Sequence, residues 1–126
     1  MALVLTISSC SKGLAEVSYY KNLPEISGTT NDENPLFFII KVELAYAWGD
    51  KKTQYSLAEL HPVLQDALRN LFCRKKAVEL SSPNEDQLKE EIVELVNNQL
   101  HRYEKYKNVP GIVTVALVKV QVFEFK

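Results

Sequence analysis

Cysteine, glycine and charge of one sign are all scarce in this sequence of 126 residues, and each shortage removes a class of function. Only Cys10 and Cys73 are present, one near the start and one inside a helical pattern. That is no framework of the kind that staples small secreted domains, and Cys73 reads as a small buried apolar residue. The four glycines, Gly13, Gly28, Gly49 and Gly111, never fall at the spacings of a P-loop or a dinucleotide fingerprint, so no phosphate cradle of either kind can be drawn. Lys and Arg total 15 against 16 Asp and Glu, and a net charge of −1 gives no global field for nucleic acid or an anionic membrane surface. Nucleic acid is therefore not an expected partner.

Long apolar runs are missing too. Nothing approaches the roughly 20 consecutive apolar residues of a membrane-crossing helix. The opening MALVLTISSC has a short apolar run ending in Ile7-Ser8-Ser9-Cys10, which is similar to the end of a lipoprotein signal in which Cys10 would carry the lipid. No Lys or Arg precedes that run, and Ala2 to Ile7 is shorter than an ordinary signal core. Residues 1–16 therefore read as an N-terminal arm packing on the core, or as the remnant of a signal or anchor segment, with Cys10 a candidate lipid attachment. Residues 17–126 read as a single domain, and 46% hydrophobic content can fill its core.

Chemistry-bearing clusters are also absent from the pattern. Cys10, Cys73, His61 and His101 are scattered singly, so no metal or other cofactor is expected. His61 and Cys73 would lie about 18 Å apart on one continuous helix, too far to share a proton. His61 belongs with the entry to that helix, beside Pro62, and His101 is expected to be solvated beside Arg102. Adjacent acids such as Glu90 and Glu91 point to different sides of a helix and form a solvated face. No catalytic residue is assigned.

What the sequence does contain is clear patterning. Val17 to Ile26, with Tyr19, Tyr20, Leu23 and Ile26 and interrupted by Pro24, reads as an edge segment. Ser27 to Pro35 (SGTTNDENP) has the composition of a loop. Leu36 to Trp48 is a strand: Ile40, Val42, Leu44 and Tyr46 alternate with Lys41, Glu43, Ala45 and Ala47, and its first half is apolar on both faces. Gly49 to Thr53 then reads as a turn. Ser56 and Glu59 have capping-box spacing, but Pro62 contests a helix starting there. The expectation is a short turn over Ser56 to Leu60, with the main helix opening near His61 or Pro62. Leu60, Val63, Leu64, Ala67, Leu68, Leu71 and Phe72 form its apolar stripe, and Arg74, Lys75 and Lys76 complement the negative end of its dipole.

Ser82, Pro83 and Glu85 place a hydroxyl, a proline and a carboxylate where a second helix begins. Its stripe is Leu88, Ile92, Leu95, Val96, Leu100 and Tyr103, and Asn108, Pro110 and Gly111 end it. Ile112 to Phe125 is a long final strand. Flat and unbroken it would exceed about 40 Å, so a bulge or bend is expected. The fold class is α+β: a mainly antiparallel sheet of three or more strands packed on two amphipathic helices, in the order β-β-α-α-β.

Taken together, HPVLQDALRNLFCRKKAVELSSPNEDQLKEEIVELVNNQL and the closing IVTVALVKVQVFEF resemble the periplasmic C-terminal domain of the FliL family of flagellar basal-body-associated proteins. The resemblance covers about Tyr20 to Phe125. It rests on Ile40, Val42 and Leu44 of the strand; on Pro62, Leu71, Leu80, Ser82, Pro83, Leu88, Ile92, Asn97 and Leu100 through the helices; and on Val115, Val118, Gln121 and Phe123 at the end. Asn84, Glu85 and Asp86 stand where the family usually has a small residue. The family's N-terminal membrane helix is missing here or survives only as MALVLTI.

The resemblance implies a non-enzymatic accessory of the flagellar motor, periplasmic and held at the inner membrane by that missing or N-terminal anchor. It implies flagellar stator proteins as partners. It also implies self-association into a homo-oligomeric ring, because the domain is similar to the core of stomatin and prohibitin proteins. The alternative is a lipid-anchored periplasmic protein-binding module unrelated to motility, which would use Cys10.

Overall fold

The computed structural model describes residues 16–124, apart from the side chain of Ser82. Four strands form one antiparallel sheet: β1 (Val17–Tyr20), β2 (Ile26–Thr29), β3 (Phe37–Ala47) and β4 (Ile112–Phe123). Helices α1 (Lys51–Glu59), α2 (His61–Cys73) and α3 (Glu85–His101) connect β3 to β4, so the order is β-β-β-α-α-α-β. The α+β class and the antiparallel sheet are as expected, with an additional short strand and an additional short helix.

The centre is β3. Its partners show why one edge of the sheet is continuous and the other is pieced together. β4 pairs with it from Phe37↔Phe123 to Tyr46↔Ile112 along one edge. β1 and β2 share the opposite edge end to end, β2 against Phe37 to Ile40 and β1 against Leu44 to Ala47. The expected edge segment Val17 to Ile26 is thus two strands, broken at Lys21 to Glu25 where Pro24 cannot donate to a ladder. Lys41 reaches from β3 to the carbonyls of Lys21 (3.0 Å) and Leu23, which pins that break against the sheet.

The loop expected from Ser27 is shorter. Ser27, Gly28 and Thr29 are strand, and the turn closes at Thr30, whose amide donates to Leu36 O (2.9 Å) and whose hydroxyl accepts from Leu36 N (2.9 Å). Turn composition loses here to packing: a Cβ on Gly28 would lie 2.8 Å from Cys73 Sγ and 3.0 Å from the Phe38 ring. Only a residue without a side chain lets β2 sit this close under α2.

The helices cover the face formed by Phe38, Ile40, Val42 and Leu44, all fully buried. Leu64, Leu68 and Phe72 descend from α2, and Leu88, Ile92, Val96 and Leu100 from α3, each at most 2% exposed. At about 1.5–3 kcal/mol per large apolar side chain, these stripes hold the helices down with little need of intrinsic propensity.

Local starts and stops differ from the sequence expectation in three places. Gly49 adopts φ +83° and turns the chain, but the turn ends at once because Asp50 caps α1, accepting from Thr53 N at 3.0 Å. Ser56 to Glu59 is consequently the end of a nine-residue helix and not a separate turn. No capping box forms: Ser56 Oγ donates back to Thr53 O (2.7 Å), and Glu59 turns to Tyr106 and Lys105. The main helix opens at His61 with Pro62 in its first turn, where the missing N–H costs nothing.

Ser82, Pro83 and Asn84 form a 3₁₀ turn ahead of α3, so Pro83 precedes the helix it was expected to open. Asn84 spends its amide on Val78 O (2.7 Å). Tyr103 falls beyond the end of α3 and is 40% exposed, outside the stripe assigned to it.

Candidate association surface

The long last strand does bend. Two register shifts in the β3–β4 ladder leave Val118 and Val113 as extra residues, one opposite Lys41/Val42 and the other opposite Ala45/Tyr46. Both valines are exposed, at 54% and 57%. Below the Val118 bulge, Lys119 to Phe123 is a regular five-residue stretch matched to Lys41 through Phe37. β4 pairs only with β3 among the described residues, so its outer edge carries no partner strand.

Side-chain alternation sorts the two faces of this stretch. Val120 and Val122 lie opposite the buried Ile40 and Phe38 and so belong to the helix-facing side. With Leu117 they form the floor of a groove of about 370 Å³, walled by Ala77, Leu80, Ser81 and Glu85. Lys119, Gln121 and Phe123 lie on the other side, where Lys119 pairs with Glu25 at 2.8 Å and Phe123 stacks on Phe37 at 5.5 Å.

The start of β4 is fixed by an interlocked polar contact between α1, α3 and the turn before the strand. Asn97 on α3 accepts from Ile112 N (2.8 Å) and donates to Ile112 O (3.0 Å), the two-point bond that only a carboxamide can make to one residue's backbone. Thr53 on α1 donates to Asp50 (2.6 Å) and accepts from the amide of Gly111 (3.0 Å).

A second concavity, an open cleft of about 530 Å³, lies where α1 meets the turn after α3, between Tyr55 and Glu59 on one side and Lys105 and Tyr106 on the other. Glu59 accepts from the Tyr106 hydroxyl and from Lys105 Nζ (3.1 Å). The Tyr106 hydrogen bond, then Lys105, hold the Glu59 carboxyl below its ordinary value. Reciprocally, Glu59 raises both Lys105 and Tyr106. A carboxyl with a lowered folded pKa adds stability that is complete above its usual value near 4.5 and is lost as pH falls through the lowered one. Glu59→Gln should therefore be less stable than the parent at pH 7, with the gap in urea midpoint closing towards pH 3. A gap of constant size across that range would remove the ionised carboxylate from this role.

The residues weighed for chemistry are not brought together. His61 and Cys73 stand at the first and last positions of α2, and His61 Nδ1 shares a hydrogen bond with the Tyr20 hydroxyl at 2.7 Å. His101 is exposed, as expected beside Arg102, with Nε2 against Val109 O at 2.8 Å. Lys75 makes more than a dipole contact, since from the segment just after α2 it pairs with Glu91 on α3. Cys10 lies outside the described residues. Among the described residues no group of three His, Cys, Asp or Glu could hold a metal, and no helix is long and apolar enough to cross a membrane.

The Glu59–Tyr106 pair, 47 positions apart, has no local signal in the sequence. The bulges had one, because the last strand, flat and unbroken, would exceed about 40 Å.

Comparison with known proteins places this architecture. Residues 20–120 match the family model for "Flagellar basal body-associated protein FliL". The flagellar protein FliL of Borreliella burgdorferi is 29% identical over 106 residues, covering 84% of this chain and 54% of that protein. The flagellar protein FliL of Treponema pallidum is 31% identical over 93 residues, covering 74% of this chain and 51% of that protein. The chain thus spans about half the length of the curated relatives it matches.

Proposed function

Because this chain belongs to the FliL family of flagellar basal body-associated proteins, we propose that it works by contact, as a non-enzymatic scaffold that associates with the stator and assembles into a ring. The match over residues 20–120 carries the flagellar part of this reading. A ring needs a head-to-tail interface, in which two different surfaces of one protomer meet. A periplasmic position at the inner membrane belongs to the same reading, with the anchor outside residues 16–124.

The reading is tested by deleting the gene and measuring swimming speed across a series of viscosities. Speed should fall in the deletion strain, most steeply at high load, and return when the gene is restored. Undiminished swimming at every load would overturn the motor role.

A further inference from the structure

We infer that the Lys119 to Phe123 edge of β4 and the groove beside it form a docking site for an extended, basic-flanked segment of a partner protein, taken up as an added strand. Strand addition needs two things: a run of unpaired backbone groups in regular register, and a place for alternate side chains of the incoming strand. Among the described residues both are present together on this part of the edge. The Val118 and Val113 bulges break the ladder above it, where they would twist away an incoming strand. From Lys119 to Phe123 the register is regular, and beneath it opens the groove between Val120, Val122 and the Ala77–Leu80 turn. Every second residue of an added strand would enter that groove, so aliphatic residues are required at alternate positions.

Natural edges are often guarded by a lysine whose charge opposes pairing. Lys119 does not guard this one, because its ammonium is held at 2.8 Å by Glu25.

Charge decides the flanks. Glu85 lines the groove, Glu79 stands on its wall turn, Asp86 follows Glu85, and Glu124 continues from the end of β4. Glu85 and Lys89 pair at 3.3 Å and offset one another, which leaves Glu79, Asp86 and Glu124 against Lys76, exposed beside the turn. The rim therefore carries an excess of carboxylates that are exposed or half-exposed, and Lys or Arg on either side of an incoming strand would meet it favourably. A second copy of this chain fits less well at this edge: β4 against β4 would bring the same carboxylates together, and the opposite edge of the sheet, broken at Lys21 to Glu25 between two four-residue strands, has no unbroken five-residue run to pair with it. The site extends the scaffold reading by stating the chemistry of a partner, and it stands or falls independently of the motility phenotype.

The test uses the full chain, isotope-labelled for NMR, and two synthetic peptides that alternate Val and Thr over six residues, one flanked at each end by two Lys and the other by two Glu. The Lys-flanked peptide should shift the amides of Lys119 to Phe123 and of Ala77 to Leu80, and should bind at least about ten-fold more tightly than the Glu-flanked one. Changing Glu79 and Glu124 to Gln and Asp86 to Asn together should remove about that factor, since surface charge pairs contribute up to about ten-fold in sum. These substitutions are on the surface, and an unchanged thermal melt verifies that the fold survives. Equal affinity for both peptides, no binding of either, or shifts elsewhere would overturn the site. Concentration-dependent shifts of the same β4 amides without peptide would make a second copy the occupant, and would overturn the basic segment.

Discussion

Replacing Gly111 by alanine lowers the unfolding free energy by about 3 kcal/mol or more, the sum of a strained backbone and a broken polar contact. Gly111 adopts φ +88°, a region that costs an L-residue about 1–2 kcal/mol. Strain alone would make this an ordinary turn glycine. The larger effect comes from what the new methyl group meets: a Cβ there would lie 2.8 Å from Asn97 Cγ and closer still to its Oδ1. That carboxamide holds both the amide and the carbonyl of Ile112, so it cannot step aside without releasing two backbone groups at about 1–3 kcal/mol each. The Gly111 amide on Thr53 is put at risk by the same movement.

Urea unfolding of Gly111→Ala and Asn97→Ala, singly and together, separates the two contributions. The double variant should be less destabilised than the sum of the singles, because alanine at 97 removes the atoms that alanine at 111 strikes. A loss under about 1 kcal/mol for Gly111→Ala would show that the turn relaxes freely. In that case the joint between α1, α3 and β4 would not be the rigid point that sets the strand's register.

The same joint shows how much of this molecule could be read from its residues. α2 was legible because seven apolar residues repeat at helical spacing, the core of β3 because apolar residues recur at every second position, and β4 because it is one long apolar stretch. α1 was not, and the reason is physical. Its buried residues are Thr53, Ser56 and Leu57, so most of its inward face is hydroxyl and not hydrocarbon. Those hydroxyls are satisfied by Asp50, Gly111 and the helix's own carbonyl, partners that periodicity does not report. β2 hid for a related reason: Ser27, Gly28 and Thr29 look like a turn until Phe38 and Cys73 are found pressing on Gly28. The free edge of β4 among the described residues was not legible, because strand order is set by pairing between segments far apart in the chain. The regular stretch within it, the groove beneath and the carboxylates at its rim required the register.

A second large effect is expected at the other side of β3, where Phe72→Ala should cost about 4 kcal/mol, the middle of the range for deleting a buried aromatic side chain. Phe72 is fully buried in the last turn of α2 and meets Phe38 edge to face, with ring centroids 6.1 Å apart and planes at 84°. Such a pair is worth about 0.5–1.5 kcal/mol beyond the area it buries. How much of the cost is recovered depends on whether neighbours can move into the space. Gly28 already lies against the Phe38 ring and Cys73, with β2 held to β3 through Ile26↔Ile40 to Thr29↔Phe37, so collapse from that side would have to carry a whole strand.

Phe72→Leu retains most of the volume and should lose only about 1–2 kcal/mol. The denaturant slope should stay unchanged in both variants, as it does when a mutation alters stability without altering the surface exposed on unfolding. A loss below about 1.5 kcal/mol for Phe72→Ala would mean that β2 and α2 close together after all. This defect lies across β3 from the free edge. A Phe72→Ala protein that remains folded should therefore keep its affinity for the basic-flanked peptide, while Val120→Ala and Val122→Ala, which remove the groove floor, should weaken it. That contrast separates damage to the fold from damage to the docking edge.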